Sequence, residues 1–462
     1  MIFKKRAEED FRVKEITSPQ MKDVISRCAD MYRGVPYWVS AEDNIKTINF
    51  AKAVCSETAR LATLGIKIQI GGGARGTWLQ EQIDKVYFKL RHWVEYGCAY
   101  GTVIVKPNGS GFDVFTSFDF MITESDSNSN ITGIIFKDSY ADNDRYYTRL
   151  EYHYFDSSKP EGFRPYYIQN KAYMSHSSQS MGDPIALART KWADLMEDSG
   201  PIMKTSGEQL DGPMFGVFRT PQANNVDLGT ALGLPIYADA IEEMKDLDIA
   251  YSRNAGEIFD SEKIILADDR LMYDSGKNLK TRGVADVKLP HYVKNVFGNS
   301  PDEFYQEINP QLNTDTRLSG INALLSQIGY KCGFSNGYFV FNEATGIQTA
   351  TGVEAEQQRT VQLVKDVRDK LEACLNGAIY AMSVYADLYN LAPVGNYEVV
   401  YDFGDILYSH EADKQQWYAY AVQNRIPFWY YLMKFEGFTE EEARALVEEA
   451  QPKEEPGFFQ EE

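Results

Sequence analysis

Cysteine is scarce in this sequence of 462 residues, which has five, at Cys28, Cys55, Cys98, Cys332 and Cys374. They are widely separated, and no two have the C-x-x-C spacing of a zinc or redox site. A disulfide framework needs an even set of cysteines and an oxidising compartment. The pattern therefore excludes the disulfide-stabilised and zinc-finger classes and predicts reduced thiols in a cytosolic protein.

A long hydrophobic run is also missing. The longest apolar stretch, Ile426–Met433, is far shorter than the roughly 20 residues that a membrane-spanning helix needs. The opening MIFKKRAEEDF has bases followed at once by acids, without the apolar segment of a signal peptide. We expect a soluble protein that is made in the cytoplasm and has no membrane partner.

Motifs that carry catalysis are absent as well. The glycine-rich segment 71–76 lacks the Lys-Ser/Thr of a phosphate-binding loop, and Ser110 falls in a predicted hairpin turn instead of on a nucleophile elbow. The five histidines stand alone in sequence, and we expect His153 to be an ordinary surface or interface residue on the polar face of its strand. The sequence therefore predicts no enzyme, no cofactor and no metal site.

Basic residues are outnumbered, because 47 Lys and Arg stand against 67 Asp and Glu and give a net charge of −20. Proteins that grip DNA usually present a basic face, so this balance argues against a repressor or a nuclease. Residues 435–462 hold ten acids and two bases (net −8), and residues 237–262 hold eight acids and two bases (net −6). Residues 270–294 are the one basic patch, with six bases and two acids (net +4).

Hydrophobic periodicity in the first part predicts mixed helix and strand. Ser18-Pro19 begins a helix that Gly34 ends, a second helix follows over 48–61, and Ile66, Ile68 and Ile70 alternate as a half-buried strand. A third helix is predicted from Leu79 to Val94, closed by Gly97. From about residue 100 to 175 the period becomes two, with a hairpin turn at 107–109 and a long strand over 146–154. The first 230 residues are predicted to form an antiparallel α+β domain.

The second part is dominated by long helices. Residues 234–262 and the region of 318–328 are predicted helices, and between them lies a stretch of short strands to about residue 312. A loop from Ser335 to Thr351 precedes the longest helix, which runs to about Tyr389, and a strand follows over 397–401. Two or three short helices are predicted in the remaining segment.

The acidic helix and the basic patch each allow two interpretations. The helix is either an ordinary solvated face or the wall of a channel for a polyanion, where fixed negative charge keeps phosphates from sticking. The patch is either a chance clustering in loops or a surface for an acidic partner or for DNA phosphates.

Several segments resemble the portal proteins of long-tailed phages and prophages of Gram-positive bacteria. The similarity is carried by their order along nearly the whole chain. These segments are 147–153 (YTRLEYH), 192–195 (WADL), 213–218 (PMFGVF), 223–225 (ANN), 234–240 (LPIYADA), 348–351 (QTAT) and 357–360 (QQRT).

The resemblance implies an α+β portal fold assembled as a ring, usually of about twelve subunits, through which DNA is packaged and ejected at one capsid vertex. It implies the following parts: wing, 1–230; first stem helix, 231–262; clip, 263–312; second stem helix, 313–333; tunnel loop, 334–350; long wing helix with its strand, 351–405; and a short crown with an acidic tail, 406–462. The implied partners are other copies of the chain, double-stranded DNA without sequence specificity, terminase, head–tail connector or adaptor, major capsid and scaffold proteins. The implied location is the virion, after assembly in the host cytoplasm.

The same resemblance assigns candidate residues to three functions. The channel-lining stem residues are Asp239, Glu242, Glu243 and Asp246. The tunnel-loop residues at the DNA channel are Asn336, Asn342, Glu343, Gln348 and Thr349. The clip residues for partner docking are Arg270, Lys277, Lys280, Arg282, Lys288 and Lys294.

The tunnel loop does not have the composition of a basic DNA-binding loop, because residues 334–350 contain no Lys or Arg. The alternative to a portal is another head-completion or capsid-associated structural protein. That alternative agrees with the acidity of the chain but does not account for the order of helix, strand insert, helix, loop and long helix.

Overall fold

The computed structural model describes residues 2–108, 111–260, 264–267, 305–308, 313–341, 350–404, 417–422, 425–435 and 440–449. The clip candidates, with Asn342, Glu343, Gln348 and Thr349 of the tunnel loop, lie outside the described residues. The chain divides into two units, Met1–Phe403 and Gly404–Glu462.

The first unit begins with five helices and one strand. They are α1 (Ile2–Phe11), α2 (Pro19–Arg33), α3 (Phe50–Ala62), β1 (Lys67–Gly71), α4 (Gly73–Asp84) and α5 (Leu90–Tyr100). The ends of α2 are those that the sequence predicts, since the Ser18 side chain accepts a hydrogen bond from the Met21 amide and Gly34 takes the left-handed conformation at φ 79°.

The prediction of a single third helix from Leu79 to Val94 is wrong. The chain forms two helices, α4 and α5, and Gly97 lies inside α5 instead of ending it. Packing requires glycine at position 97, because a Cβ there would come within 2.1 Å of the Phe218 ring. The helix ends at Gly101, whose φ of 78° favours glycine.

Two antiparallel sheets follow. One has the order β3-β2-β9 and consists of β2 (Thr102–Pro107), β3 (Phe112–Thr116) and β9 (Gly216–Arg219). The other has the order β4-β5-β6-β7-β8 and consists of β4 (Phe120–Ser125), β5 (Ile131–Asp142), β6 (Arg145–Phe155), β7 (Tyr166–Ser175) and β8 (Asp183–Ile185). The hairpin between β2 and β3 and the long strand β6 confirm the period-two pattern, and the α+β class is confirmed with them.

The five-stranded sheet is covered on both faces. On one face, Leu150 and Tyr152 of β6 pack with Phe3 and Ala7 of α1. On the other face, Phe136 of β5 packs against Phe115 of β3 and against Phe215, which directly precedes β9. The centre of the Phe136 ring lies 4.8 Å from that of Phe115 and 5.6 Å from that of Phe215. The middle of β6 is therefore buried whichever way a side chain points.

An antiparallel helical hairpin comes next. Helix α6 (Ile241–Asp260) leads toward β10 (Ile264–Ala267), which pairs antiparallel with β11 (Tyr305–Ile308), and α7 (Thr314–Lys331) returns along α6. The predicted helix over 234–262 therefore begins later than expected, after a short 3₁₀ turn at Ala238–Ala240.

The longest helix, α8 (Ala350–Tyr389), has 40 residues and packs on β2, β9, α3 and α4. Its backbone approaches β9 at two glycines, since a Cβ built on Gly377 would lie 2.9 Å from the Cα of Gly216. Strand β12 (Glu398–Asp402) then pairs antiparallel with β1. The fully buried Arg75 donates to the carbonyls of Ser383 and Pro393 and pairs with Asp387, which fixes the end of α8 to the start of α4.

The second unit contains short helices, as the sequence predicts. Residues 417–422 are helical, and α9 (Phe428–Phe435) packs against α10 (Glu440–Glu449).

Candidate functional site

The carboxylates predicted to line a channel lie at and just before the start of α6. Asp239, Glu242 and Asp246 are exposed, at a spacing of three and four residues that puts them on one helical face. The opposite face holds Met244 and Leu247, which are 3% and 0% exposed. The three carboxylates therefore form one exposed acidic face, named here the α6 acidic face.

Glu243 points in another direction. Its side chain is 16% exposed, and its Oε1 lies 2.5 Å from Nζ of Lys331 on α7. Lys331 Nζ also donates to the carbonyl of Asp239, at 2.9 Å. Of the four predicted stem carboxylates, three belong to the acidic face and Glu243 joins the two helices of the hairpin.

The hairpin is tied at its other end and along its side. Glu257 of α6 pairs with Arg317 and accepts a hydrogen bond from the Asn313 amide. Asp248 is 4% exposed and accepts from the Trp38 indole, at 2.8 Å, and from the Ile48 amide, at 3.0 Å. These contacts fix α6 to α7 and to the segment between α2 and α3.

The first half of the predicted tunnel loop is packed onto its surroundings. Ser335 and Thr360 of α8 exchange hydrogen bonds, and the Tyr338 hydroxyl donates to Glu57 of α3. Phe341 bonds through its amide and carbonyl to the side chain of Asn322. Within residues 334–341, Asn336 is the tunnel-loop candidate that the structure describes, and it is exposed.

A buried cluster of charges, which the sequence interpretation missed, lies between the two sheets. Glu151 Oε2 lies 2.5 Å from Lys106 Nζ and 2.8 Å from Arg149 Nη2, and Glu151 Oε1 lies 2.8 Å from His153 Nε2. The His153 Nδ1 lies 2.9 Å from the Tyr166 hydroxyl. All of these side chains are buried.

The prediction that His153 is a surface or interface residue is wrong, because it is 2% exposed. Alternation along β6 marks a polar face correctly, but this face is covered by the second sheet, which a single strand pattern does not reveal. A usable signal is present in the sequence: the oppositely charged Arg149 and Glu151 and the hydrogen-bonding His153 recur at every second residue, as a paired internal set would.

Burial and the neighbouring charges shift the pKa values of Glu151 and His153. Burial opposes ionisation of Glu151, but Lys106 and Arg149 overcome it and hold the pKa of that carboxyl well below its usual range. Burial lowers the pKa of His153, with Lys106 and Arg149 acting in the same direction and Glu151 opposing. His153 is therefore neutral at pH 7 and Glu151 is ionised.

The lowered pKa of His153 predicts a loss of stability in mild acid. As pH falls below the ordinary histidine value of 6.5, the unfolded chain takes up a proton at this position before the folded chain does, so protonation favours unfolding. The free energy of unfolding should fall by up to about 1.4 kcal/mol per pH unit until the folded pKa is reached. Denaturant unfolding of the purified chain between pH 7 and pH 5 measures this slope.

The matched variants are His153→Gln and His176→Gln, since His176 is exposed. The first change should flatten the slope below pH 6.5, and the second should leave it in place. An equal slope in both variants and the parent would contradict the assignment to His153.

Among the described residues, no group of three His, Cys, Asp or Glu side chains is placed to hold a metal ion. None of the described helices is long and apolar enough to cross a membrane.

Comparisons with known proteins give little further information. No family model matches the sequence, and no curated protein matches it. A chain in a solved structure described as "Virion of native gene transfer agent (GTA) particle" superposes with a TM-score of 0.40 at 9% sequence identity, over 97% of this chain and 99% of that chain. A likeness at this level carries no conclusion about function.

Proposed function

We propose that this chain is a structural protein of a phage-type virion and that it forms the portal ring, the DNA channel at one capsid vertex. The observation that carries the proposal is the α6/α7 hairpin with its exposed acidic face. At one end of the hairpin the chain continues from α6 to β10, which pairs with β11 ahead of α7, and at the other end it continues from α7 through residues 332–349 to the 40-residue helix α8. Stem, clip, stem, tunnel loop and wing follow one another in this order in the family that the sequence resembles.

Charge supports the same proposal. In a closed cyclic ring, every subunit would present Asp239, Glu242 and Asp246 at the same height, which gives bands of negative charge around the channel. A duplex carries one negative charge per roughly 1.7 Å, so such bands repel it from the wall on all sides and offer it no binding point. The duplex then slides instead of sticking.

Under this proposal the ring is a passive conduit and a docking hub. A separate motor ATPase, the terminase, supplies the energy from its seat on the clip, and connector proteins later take its place. The basic residues of the clip would meet these partners, and the tunnel loop would contact or retain DNA by steric closure.

Electron microscopy of the purified protein tests the ring. Negative-stain images should show rings with an open centre, and light scattering should give about 630 kDa, the mass of twelve chains of 52.5 kDa. A monomer at all concentrations, with or without a scaffold protein, would contradict the ring. A monomer that hydrolysed ATP or cut DNA would replace the proposal with an enzyme.

A further inference from the structure

The two-stranded sheet of β1 and β12 has two outer edges, and the edge on β1 is closed by side chains. The Gln80 side chain accepts a hydrogen bond from the Ile70 amide, at 2.8 Å, and donates to the Ile68 carbonyl, at 3.2 Å. The Tyr87 hydroxyl donates to the Ile66 carbonyl, just before the strand. These side chains occupy the places of a further strand, so they block the addition of one to β1.

The outer edge of β12 is open. The hydrogen bonds to Gln80 show that the backbone groups of Ile68 and Ile70 point away from β12. Their partners in the register are Tyr401 and Val399, whose own backbone groups therefore point away from β1. Within the described residues, these outward N–H and C=O groups of Val399 and Tyr401 have no hydrogen-bond partner. Two donors and two acceptors are thus available to one added strand.

The side chains of β12 determine which kind of strand fits this edge. Glu398, Val400 and Asp402 lie on the exposed face of the sheet, and Val399 and Tyr401 lie on the other, partly buried face. An added antiparallel strand would place side chains directly opposite Glu398 and Asp402, in non-hydrogen-bonded pairs whose Cα atoms are only about 4.5 Å apart. Basic residues at these two positions would form ion pairs, and acidic residues would be repelled.

Another copy of this chain does not offer such a strand within the described residues. Two antiparallel β12 strands centred on Val400 would bring Glu398 of each against Asp402 of the other, and like charges directly opposite one another destabilise a sheet. Among the described strands, β6 alone has bases four residues apart, Arg145 and Arg149, and both of its edges are already paired with β5 and β7. The charges therefore favour a strand from a different protein.

We propose that the outer edge of β12 binds an extended segment of a different protein as an added antiparallel strand, with basic residues opposite Glu398 and Asp402. The main chain of that segment bonds to Val399 and Tyr401 and supplies the affinity, and its two basic side chains supply the specificity. The proposal goes beyond the portal ring and does not rest on it, because the sheet edge lies within one chain.

Titration of the purified full-length chain with three synthetic peptides tests the proposal. The first, the lysine peptide, is acetyl-Thr-Lys-Ile-Thr-Val-Lys-Thr-amide, whose two lysines are four residues apart. The second has glutamate in place of both lysines, and the third is the lysine peptide N-methylated at Ile and Val, whose N–H groups would bond to β12. Calorimetry gives the affinities, and hydrogen exchange followed by mass spectrometry over residues 396–403 locates the binding.

The lysine peptide should bind at least about tenfold more tightly than each of the other two and should slow hydrogen exchange over residues 396–403. In the double variant Glu398→Lys, Asp402→Lys the preference should reverse, so that the glutamate peptide binds more tightly than the lysine peptide. The matched control, Asp142→Lys with Asp144→Lys, makes the same change in net charge at exposed residues where β5 turns into β6, and it should keep the preference of the parent.

Four results would overturn the proposal. The first three are equal affinities for the lysine and glutamate peptides, undiminished binding of the N-methylated peptide, and no binding of any peptide up to about 10 mM. The fourth is protection over residues 396–403 that is present without peptide and is lost on dilution, because another copy of the chain would then hold this edge. If the charge-reversed variant fails to fold by circular dichroism, the three peptides on the unmodified chain still decide.

Discussion

Replacing Glu151 with Gln is expected to lower the free energy of unfolding by about 3–5 kcal/mol, because it leaves buried positive charge without compensation. Glu151 is the shared partner of Lys106 and Arg149, whose side chains are 5% and 7% exposed. Gln has nearly the same shape, so the loss measures charge and not volume. Urea unfolding of the purified chain at pH 7, followed by circular dichroism, gives the value.

Two further variants isolate the cause. Asp23→Asn removes a carboxylate from an ion pair with Arg27 in which both side chains are more than half exposed, and it should cost at most about 1 kcal/mol. Removing a buried ion pair as a whole, with Lys106→Met and Glu151→Leu together, should cost less than Glu151→Gln alone. Equal costs for Glu151→Gln and Asp23→Asn would show that the cluster does not need its carboxylate.

If the chain forms the proposed portal ring, reversing the α6 acidic face should turn a channel that does not bind DNA into one that does. The triple variant Asp239→Lys, Glu242→Lys and Asp246→Lys changes the charge of each subunit by +6, and a ring multiplies the change. Binding of double-stranded DNA should appear at low salt, with log K falling by about 0.9 per phosphate neutralised for each unit of log salt concentration. Under the portal proposal, a packaging assay with the separate motor should show DNA stalling in rings of the variant and passing through rings of the parent.

The control carries the same charge change at another place. Asp144, Glu161 and Asp183 are exposed residues around the five-stranded sheet, so their replacement by Lys leaves the hairpin untouched. Fluorescence anisotropy with a labelled duplex compares the two triple variants. If both bind DNA equally, the position of the α6 acidic face has no special role and net charge alone explains the binding.

Sequence patterns predict correctly those helix ends and strands that depend only on residues close together in the chain. The Ser18 cap and Gly34 ended α2 where predicted, and the alternation of Ile66, Ile68 and Ile70 marked β1. These features are local because a capping bond or a strand period involves residues only a few positions apart. Features that depend on tertiary packing could not be predicted from these patterns. One example is Gly97, which lies inside α5 because Phe218 packs against it.

In the candidate site, too, the local features could be predicted from the sequence and the long-range contacts could not. The exposure of Asp239, Glu242 and Asp246 follows from helical spacing. Glu243, in contrast, pairs with Lys331, a residue 88 positions away. The charge cluster combines Lys106 of one sheet with Glu151 of the other. No single-strand pattern indicates that two sheets meet at that point.

The route of the chain through the first unit has a consequence for its synthesis. Strand β1, at residues 67–71, pairs with β12, at residues 398–402, and α8 covers β2 and β9. The early sheets therefore lack one of their covering layers until residue 403 has been made. At 5–20 residues per second, the interval between residues 230 and 403 is roughly 9–35 s, during which a nascent chain exposes apolar surface at the ribosome. Folding of this protein is for that reason expected to be largely post-translational and to rely on chaperones that shield the unfinished core.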